Sequence, residues 1–307
     1  MKLVFMATGD IALPAFQLLL DRGPRPLALL TQPDKPVGRH QTLMAPAIKL
    51  EALAAGIPVM QPLAAVDATA ELAAMQPDVI VVMAYGQILR QNMLTLPSLA
   101  IINLHASLLP KHRGASCIQA AIAAGDCKTG ITAIHVAPKL DAGDIIYAKS
   151  LRIEDHDTGG SLHQRLAELA PEVLQEALKR LAAGTAERNP QEENQSTYAP
   201  KLERDAGRID WSRDAADLER QIRAYDPWPG TFAVVRDGGT DRRLKIFPPV
   251  EACDTPLAPR EVLVQDGHLL IGCGCGSLRI QEVQPEGSRR MNTADYLRGR
   301  HPRLADG

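Results

Sequence analysis

Residues 102 to 114 read Ile102-Asn103-Leu104-His105-Ala106-Ser107-Leu108-Leu109-Pro110-Lys111-His112-Arg113-Gly114, a dense run of side chains able to do chemistry. Its start has the continuous apolar character of a buried strand end. Period-two alternation then places Asn103 and His105 on one face, with Leu104 opposite. A polar pair on a buried face is costly unless both groups are hydrogen-bonded or used. Ser107-Leu108-Leu109-Pro110 turns away from the strand, since Pro110 biases Leu109 to extended backbone. Such a loop offers backbone donors and acceptors to a planar ligand. Further on, Leu140-Asp141-Ala142-Gly143-Asp144 reads as an acidic turn. A carboxylate brought beside His105 would raise the imidazole pKa and fix its orientation. An Asn, a His and an Asp, without a Ser or Cys nucleophile, suit a direct transfer. The acceptor itself attacks, Asn and His stabilise the oxyanion, and the carboxylate organises proton movement. Plainer readings stand beside this one: two satisfied polar residues at a strand terminus, and an Asp-x-Gly-Asp sequence that is only a turn.

Other chemistries lack their residues. There is no G-x-x-x-x-G-K-[ST] phosphate loop. Ala7-Thr8-Gly9-Asp10 holds one glycine where a dinucleotide site needs three, so no NAD is expected. Cys273-Gly274-Cys275 has neither a second pair nor nearby histidines; it reads as a thiol pair at a strand edge, and no metal is expected. Cys117 and Cys127 read as small helix residues, His112 as exposed loop, and Arg113-Gly114 as the turn into the next helix. Trp211 and Trp228 read as packing anchors.

The elements that must position these residues follow from the pattern. The chain has 307 residues, 45% hydrophobic and 23% charged, with 34 Lys plus Arg against 36 Asp plus Glu. That balance excludes a strongly basic coat protein and an acidic disordered chain. No apolar run approaches the roughly 18 residues that span a bilayer, and the apolar N-terminal stretch is too short for a signal peptide. Five cysteines in so long a chain do not suggest a disulfide framework, so a cytoplasmic protein without a membrane partner is expected. Leu3–Ala7, Pro26–Thr31, Asp78–Tyr85, Ala100–His105 and Ile131–Val136 read as strands. Leu13–Asp21, Ala45–Ala55, Ala68–Ala74, Cys117–Ala124 and Ser161–Leu181 read as helices between them. The alternation predicts an α/β domain, a Rossmann-like, mostly parallel sheet with helices on both faces. Ligands of such sheets gather beyond the carboxyl ends of the strands, after Ala7, Tyr85 and His105. Gly184 to Pro200 is polar and aperiodic, which places a linker at 185–204 between domains 1–184 and 205–307. After a helix over Ala215–Ala224, closely spaced short strands suggest a small C-terminal β-barrel, OB-like.

Asn103-x-His105 with Ser107-Leu108-Leu109-Pro110-x-x-Arg113-Gly114 and Leu140-Asp141-x-Gly143-Asp144 resembles the folate-dependent formyltransferases. Within that superfamily the chain is similar to the branch that acts on methionyl-tRNA. Gln32-Pro33-Asp34-Lys35-Pro36-Val37-Gly38-Arg39, Tyr198-Ala199-Pro200-Lys201, Ile209-Asp210-Trp211 and Asp226-Pro227-Trp228-Pro229-Gly230 carry the likeness across nearly the whole chain. The resemblance implies Asn103, His105 and Asp141 as the catalytic trio, and N10-formyltetrahydrofolate as donor. It implies Ser107, Leu108, Leu109 and Pro110, with Tyr85 and Gly86, as the folate-binding residues. It implies Lys35 and Arg39 as contacts to initiator methionyl-tRNA, the C-terminal barrel as a tRNA-binding domain, and a monomer. Three stretches depart from the family pattern: Ala7-Thr8-Gly9, Ser116-Cys117-Ile118 and Ala137-Pro138-Lys139. A formyltransferase acting on an amino-sugar or nucleotide amine, a hydrolase of the same folate, and a non-catalytic RNA-binding protein are the alternatives. The C-terminal basic clusters around Arg242-Arg243, Arg289-Arg290 and Arg298 bear on the last; their plainer reading is solvated surface charge.

Overall fold

The computed structural model describes every residue except 38–40, 238, 266, 299–301 and 306–307. It divides into two compact units, one of Met1–Cys117, Lys128–Leu151 and His163–Ala199, the other of Ile118–Cys127, Arg152–Leu162 and Pro200–Gly307.

Consecutive apolar residues build the first sheet because both of its faces are covered. In chain order the elements are β1 (Leu3–Ala7), α1 (Leu13–Asp21), β2 (Ala28–Leu30), β3 (Lys35–Val37), β4 (Thr42–Met44), α2 (Ala47–Ala54), β5 (Val59–Met60), α3 (Thr69–Met75), β6 (Val79–Met83), α4 (Gln91–Leu94), β7 (Ala100–His105), α5 (Cys117–Ala123), β8 (Lys128–His135), β9 (Ile145–Arg152) and α6 (Gly159–Ala182). The seven-stranded sheet runs β5-β2-β1-β6-β7-β8-β9. Its pairings are parallel from β5 to β7, and β8 is antiparallel to β7. Successive β1 residues serve opposite faces: Phe5 meets Phe16 of α1, ring centroids 5.4 Å apart, while Val4 and Met6 cluster with Leu72 of α3 and Met93 of α4. The hairpin β3–β4, which carries Lys35, stands apart from this sheet.

The second unit contains α7 (Ala215–Ala224), β10 (Thr231–Asp237), β11 (Thr240–Cys253), β12 (Val262–Gln265), β13 (His268–Gly272), β14 (Ser277–Pro285), β15 (Met291–Asn292), α8 (Thr293–Tyr296) and β16 (Arg303–Leu304). An antiparallel sheet in the order β12-β13-β14-β11-β10-β16 curls into a nearly closed barrel. The Arg260 guanidinium, ahead of β12, donates to the Ala305 carbonyl just past β16 and draws the two edges together. Between Phe247 and Val250 the β11–β14 register slips, where Pro248 and Pro249 have no N–H for the ladder; such a bulge bends a long strand. Leu218 and Ile222 of α7 pack on Leu244, Ile246, Leu278 and Ile280 in the barrel core. Trp211 joins this core, but Trp228 is half-exposed rather than a buried anchor.

Candidate active site

Asn103 and His105 end β7, in the layer where β6 and β8 flank it. Asn103 lies opposite Ile134 and His105 opposite Thr132, so the predicted shared face is the one they occupy. Asp141 follows β8 in a turn whose backbone is left-handed at Asp141 itself, φ +49°. Non-glycine residues rarely adopt that conformation, and they persist in it where neighbours impose it.

The three side chains converge. Asn103 Nδ2 donates to Asp141 Oδ1 at 3.3 Å, and the Gly114 amide donates to Asp141 Oδ2 at 2.9 Å. His105 Nδ1 faces that same Oδ2 at 3.6 Å, an ion-pair distance too long for a hydrogen bond. His105 Nε2 lies 2.9 Å from the His112 carbonyl. A carbonyl only accepts, so Nε2 carries a proton and donates it; a second proton on Nδ1 makes the imidazolium. Burial, the largest influence, pushes the imidazole pKa down; the adjoining Cys117 thiol, the Asp141 carboxylate and the His112 carbonyl together outweigh it and set it at about 9.

The loop after β7 is pinned by one hydroxyl. Thr132 Oγ1 donates to the Ser107 carbonyl at 2.6 Å and accepts from the Leu109 amide at 3.2 Å. Ser107 Oγ donates to the Lys111 carbonyl at 2.6 Å, closing the turn that contains Leu108, Leu109 and Pro110. The turn after β6 is built on left-handed backbone at Ala84 and Gly86. Gly86 has φ +79°, a left-handed backbone that glycine adopts without strain, and a Cβ there would also displace the Gln32 amide. The Tyr85 ring belongs to the core under the sheet, where burial raises its pKa to about 12. What Tyr85 presents is its carbonyl, which accepts from Gln32 Nε2 at 2.8 Å and Thr8 Oγ1 at 3.1 Å. Lys35 is exposed and donates to Gln32 Oε1. Arg39 lies outside the described residues.

Residues 2–178 match the formyl transferase family model and residues 201–301 match its C-terminal domain. A protein named methionyl-tRNA formyltransferase from Akkermansia muciniphila is 51% identical over 311 aligned residues, covering 100% of this chain and 98% of its own. The chain belongs to the methionyl-tRNA formyltransferase family. It is therefore an enzyme of the formyl-transferring kind. Among solved structures, the methionyl-tRNA formyltransferase from Clostridium thermocellum shares the fold with a TM-score of 0.55 at 15% identity, over 91% of this chain and 98% of that one. An N-formyltransferase from Helicobacter canadensis, in complex with folinic acid and dTDP-3-aminofucose, superposes with a TM-score of 0.68 at 16% identity, over 95% and 100%. Among the described residues no helix is long and apolar enough to cross a membrane, and no group of His, Cys, Asp and Glu could hold a metal ion.

Several residues of this family member behave differently from their sequence expectation. His112 is buried rather than exposed, with left-handed backbone at φ +58°, and its carbonyl is the partner of His105. Its role is carried by backbone, which side-chain type does not advertise. Cys117 is buried beside His105 at the start of α5. Arg113 is buried and bonds to Gln191 and Glu193 of a segment whose composition alone reads as a linker.

Proposed function

We propose that this enzyme transfers the formyl group of N10-formyltetrahydrofolate to the α-amino group of methionyl initiator tRNA. The neutral amine attacks the formyl carbon, a C–N bond forms, the bond from that carbon to N10 breaks, and the amine's proton passes to N10. The observation that carries this reading is the convergence of the Asn103, His105 and Asp141 side chains at the end of β7. Asn103 Nδ2 donates to Asp141 with one hydrogen and has a second for a substrate oxygen. The Nδ1 proton of the imidazolium is paired with Asp141 by charge rather than by a short bond, so it can donate to the same oxygen. Asp141 balances the imidazolium and orders the proton's path.

The donor sits against the carboxyl edge of the parallel strands, where Ser107–Pro110 and the Tyr85–Gly86 turn expose backbone groups. Folinic acid in the Helicobacter canadensis neighbour supports a folate there. Residues 1–184 carry the chemistry and 205–307 hold the tRNA, joined by 185–204, with Lys35 and Arg39 near the acceptor end; the enzyme works as a cytoplasmic monomer. The identity of 51% to a methionyl-tRNA formyltransferase favours charged tRNA over an amino sugar. Incubation with formyl-folate and either methionyl initiator tRNA or an amino-sugar nucleotide, followed by an acid gel for the tRNA product, decides between them. Formylmethionyl-tRNA is expected; formylation of the sugar alone would reverse the assignment.

A further inference from the structure

The Asp141 turn is held by a residue fifty positions away in sequence. Gln191 Nε2 donates to the carbonyls of both Asp141 and Gly143, each at 2.8 Å. Gln191 Oε1 accepts from Arg113 Nε at 3.1 Å and from Arg113 Nη2 at 2.9 Å. Two amide hydrogens and two oxygen lone pairs are thereby all used, the full capacity of a glutamine side chain. Arg113 is itself fixed: it is buried, and its Nη1 donates to Glu193 Oε2 at 2.9 Å. Its amide donates to the Thr197 carbonyl and its carbonyl accepts from Ala199, both in the same segment as Gln191. Asn189 exchanges backbone bonds with Ile145, on the far side of the turn. No side chain fits at Gly143, since a Cβ there would meet the His135 carbonyl at 1.7 Å. The left-handed backbone at Asp141 is thus bonded on both sides of the turn.

We propose that Gln191 is a positioning residue for the transfer, locking the Asp141–Gly143 backbone in the conformation that aims the Asp141 carboxylate at Asn103 and His105. Segment 189–199 is on this account part of the catalytic apparatus and not only a tether. The inference rests on the reading of Asp141 as a member of the trio, and the test separates the two.

Gln191→Met keeps the length of the side chain and removes both donors and the oxygen that accepts from Arg113, without adding charge. Asp141→Asn is the reference variant. The readouts are kcat and both KM values, the alkaline limb of the pH profile, and thermal melting. The titratable groups facing His105 are Asp141 and Cys117, and Gln191→Met alters neither chemically. For Gln191→Met, kcat is expected to fall about 10- to 100-fold, the penalty of a small misplacement of a reacting group, with both KM values within about twofold. The alkaline limb should move down from about 9 as the Asp141 charge loosens from the imidazole. If the variant does not fold, Gln191→Glu replaces it: one oxygen still accepts from Arg113, and the other confronts two carbonyls. Wild-type kcat and an unmoved limb in the folded variant overturn the proposal, as does a lower melting temperature with kcat unchanged. Full activity in Asp141→Asn would instead defeat the reading of the trio.

Discussion

Thr132 on β8 and Thr231 on β10 are both buried threonines whose hydroxyls donate to backbone carbonyls, yet they sit in differently built interiors. Thr231 bonds the Ile246 carbonyl within its own strand pair, and Thr293 likewise bonds the Ile280 carbonyl. In the barrel, these hydroxyls are local adornments to an aliphatic core of Leu218, Leu244, Ile280 and their neighbours. Around Thr132 the polar groups form two bonded sets: Thr132 with Ser107 and Leu109, and His105 with His112 and Asp141, which also holds Asn103 and Gly114. Left-handed non-glycine backbone occurs at Ala84, His112 and Asp141 along this edge, and at Arg260 beside the barrel. The barrel is held by area and shape, the sheet edge by a polar network in which each group fixes the next. Networks of that kind are strong only while complete.

Asp141→Asn breaks the network at its centre and should have the largest effect. Loss of the charge that pairs with the imidazolium and guides the proton should lower kcat about 10³-fold. The pH profile gives the sign. His105 is raised from 6.5 to about 9, so its pairing stabilises the folded protein fully below about 6.5 and is lost as pH rises through about 9. Cys117 raises His105 more than Asp141 does, so removing the carboxylate should shift the alkaline limb of kcat/KM only part of the way toward 6.5; an unmoved limb would show that Asp141 does not hold the imidazole pKa up. In the barrel the matching insult is Leu218→Ala, at a side chain with no exposed surface. A cavity there should cost about 3 kcal/mol in denaturant unfolding, while the alkaline limb of the folded enzyme stays in place. Movement of that limb would mean the two regions are not energetically separate. Asn103→Ala comes next, with about 10²-fold lower kcat expected if its amide holds the oxyanion. Wild-type turnover in single-turnover formylation would remove Asn103 from the chemistry.

What could be read from sequence divides along the same line. Asn103-x-His105 was legible because a strand's period of two is local, and β7 spans the expected Ala100–His105. Helices α1 and α7 were legible for the same reason: apolar spacing and terminating residues lie within each segment. The barrel strands were visible as short apolar runs, but the length of β11 was not: it runs from Thr240 to Cys253 straight through Pro248 and Pro249, where a bulge carries it on. The polar network was mostly illegible. His112 acts through its carbonyl, which every residue possesses. Gln191 lies in a polar, aperiodic stretch, and nothing in that composition reveals that its amide meets Asp141 and Gly143. Asp141 itself was found through its motif, whereas its left-handed backbone depends on those distant partners.

The smallest effects sharpen the comparison most, because the two threonines can be changed identically. Thr231→Val removes one hydroxyl donor and leaves the Ile246 carbonyl with one partner fewer, at a cost of about 1 kcal/mol in unfolding. Among the described residues no other barrel group is bonded to that hydroxyl, so kcat and the KM for formyl-folate should be unchanged. Thr132→Val should cost more, about 2 kcal/mol, since its hydroxyl donates to one carbonyl and is also the acceptor for the buried Leu109 amide. It additionally strands the Leu109 amide and frees the Ser107 carbonyl, loosening the turn proposed to receive the folate. A rise of roughly tenfold in the KM for formyl-folate, equal to about 1.4 kcal/mol, is expected, with the KM for tRNA unaltered. A KM change confined to Thr132→Val is what a connected polar edge and an independent aliphatic core require. Equal KM values in the two variants would show that the 107–110 turn keeps its shape without Thr132, and that the network at this edge is more loosely joined than its bonds imply.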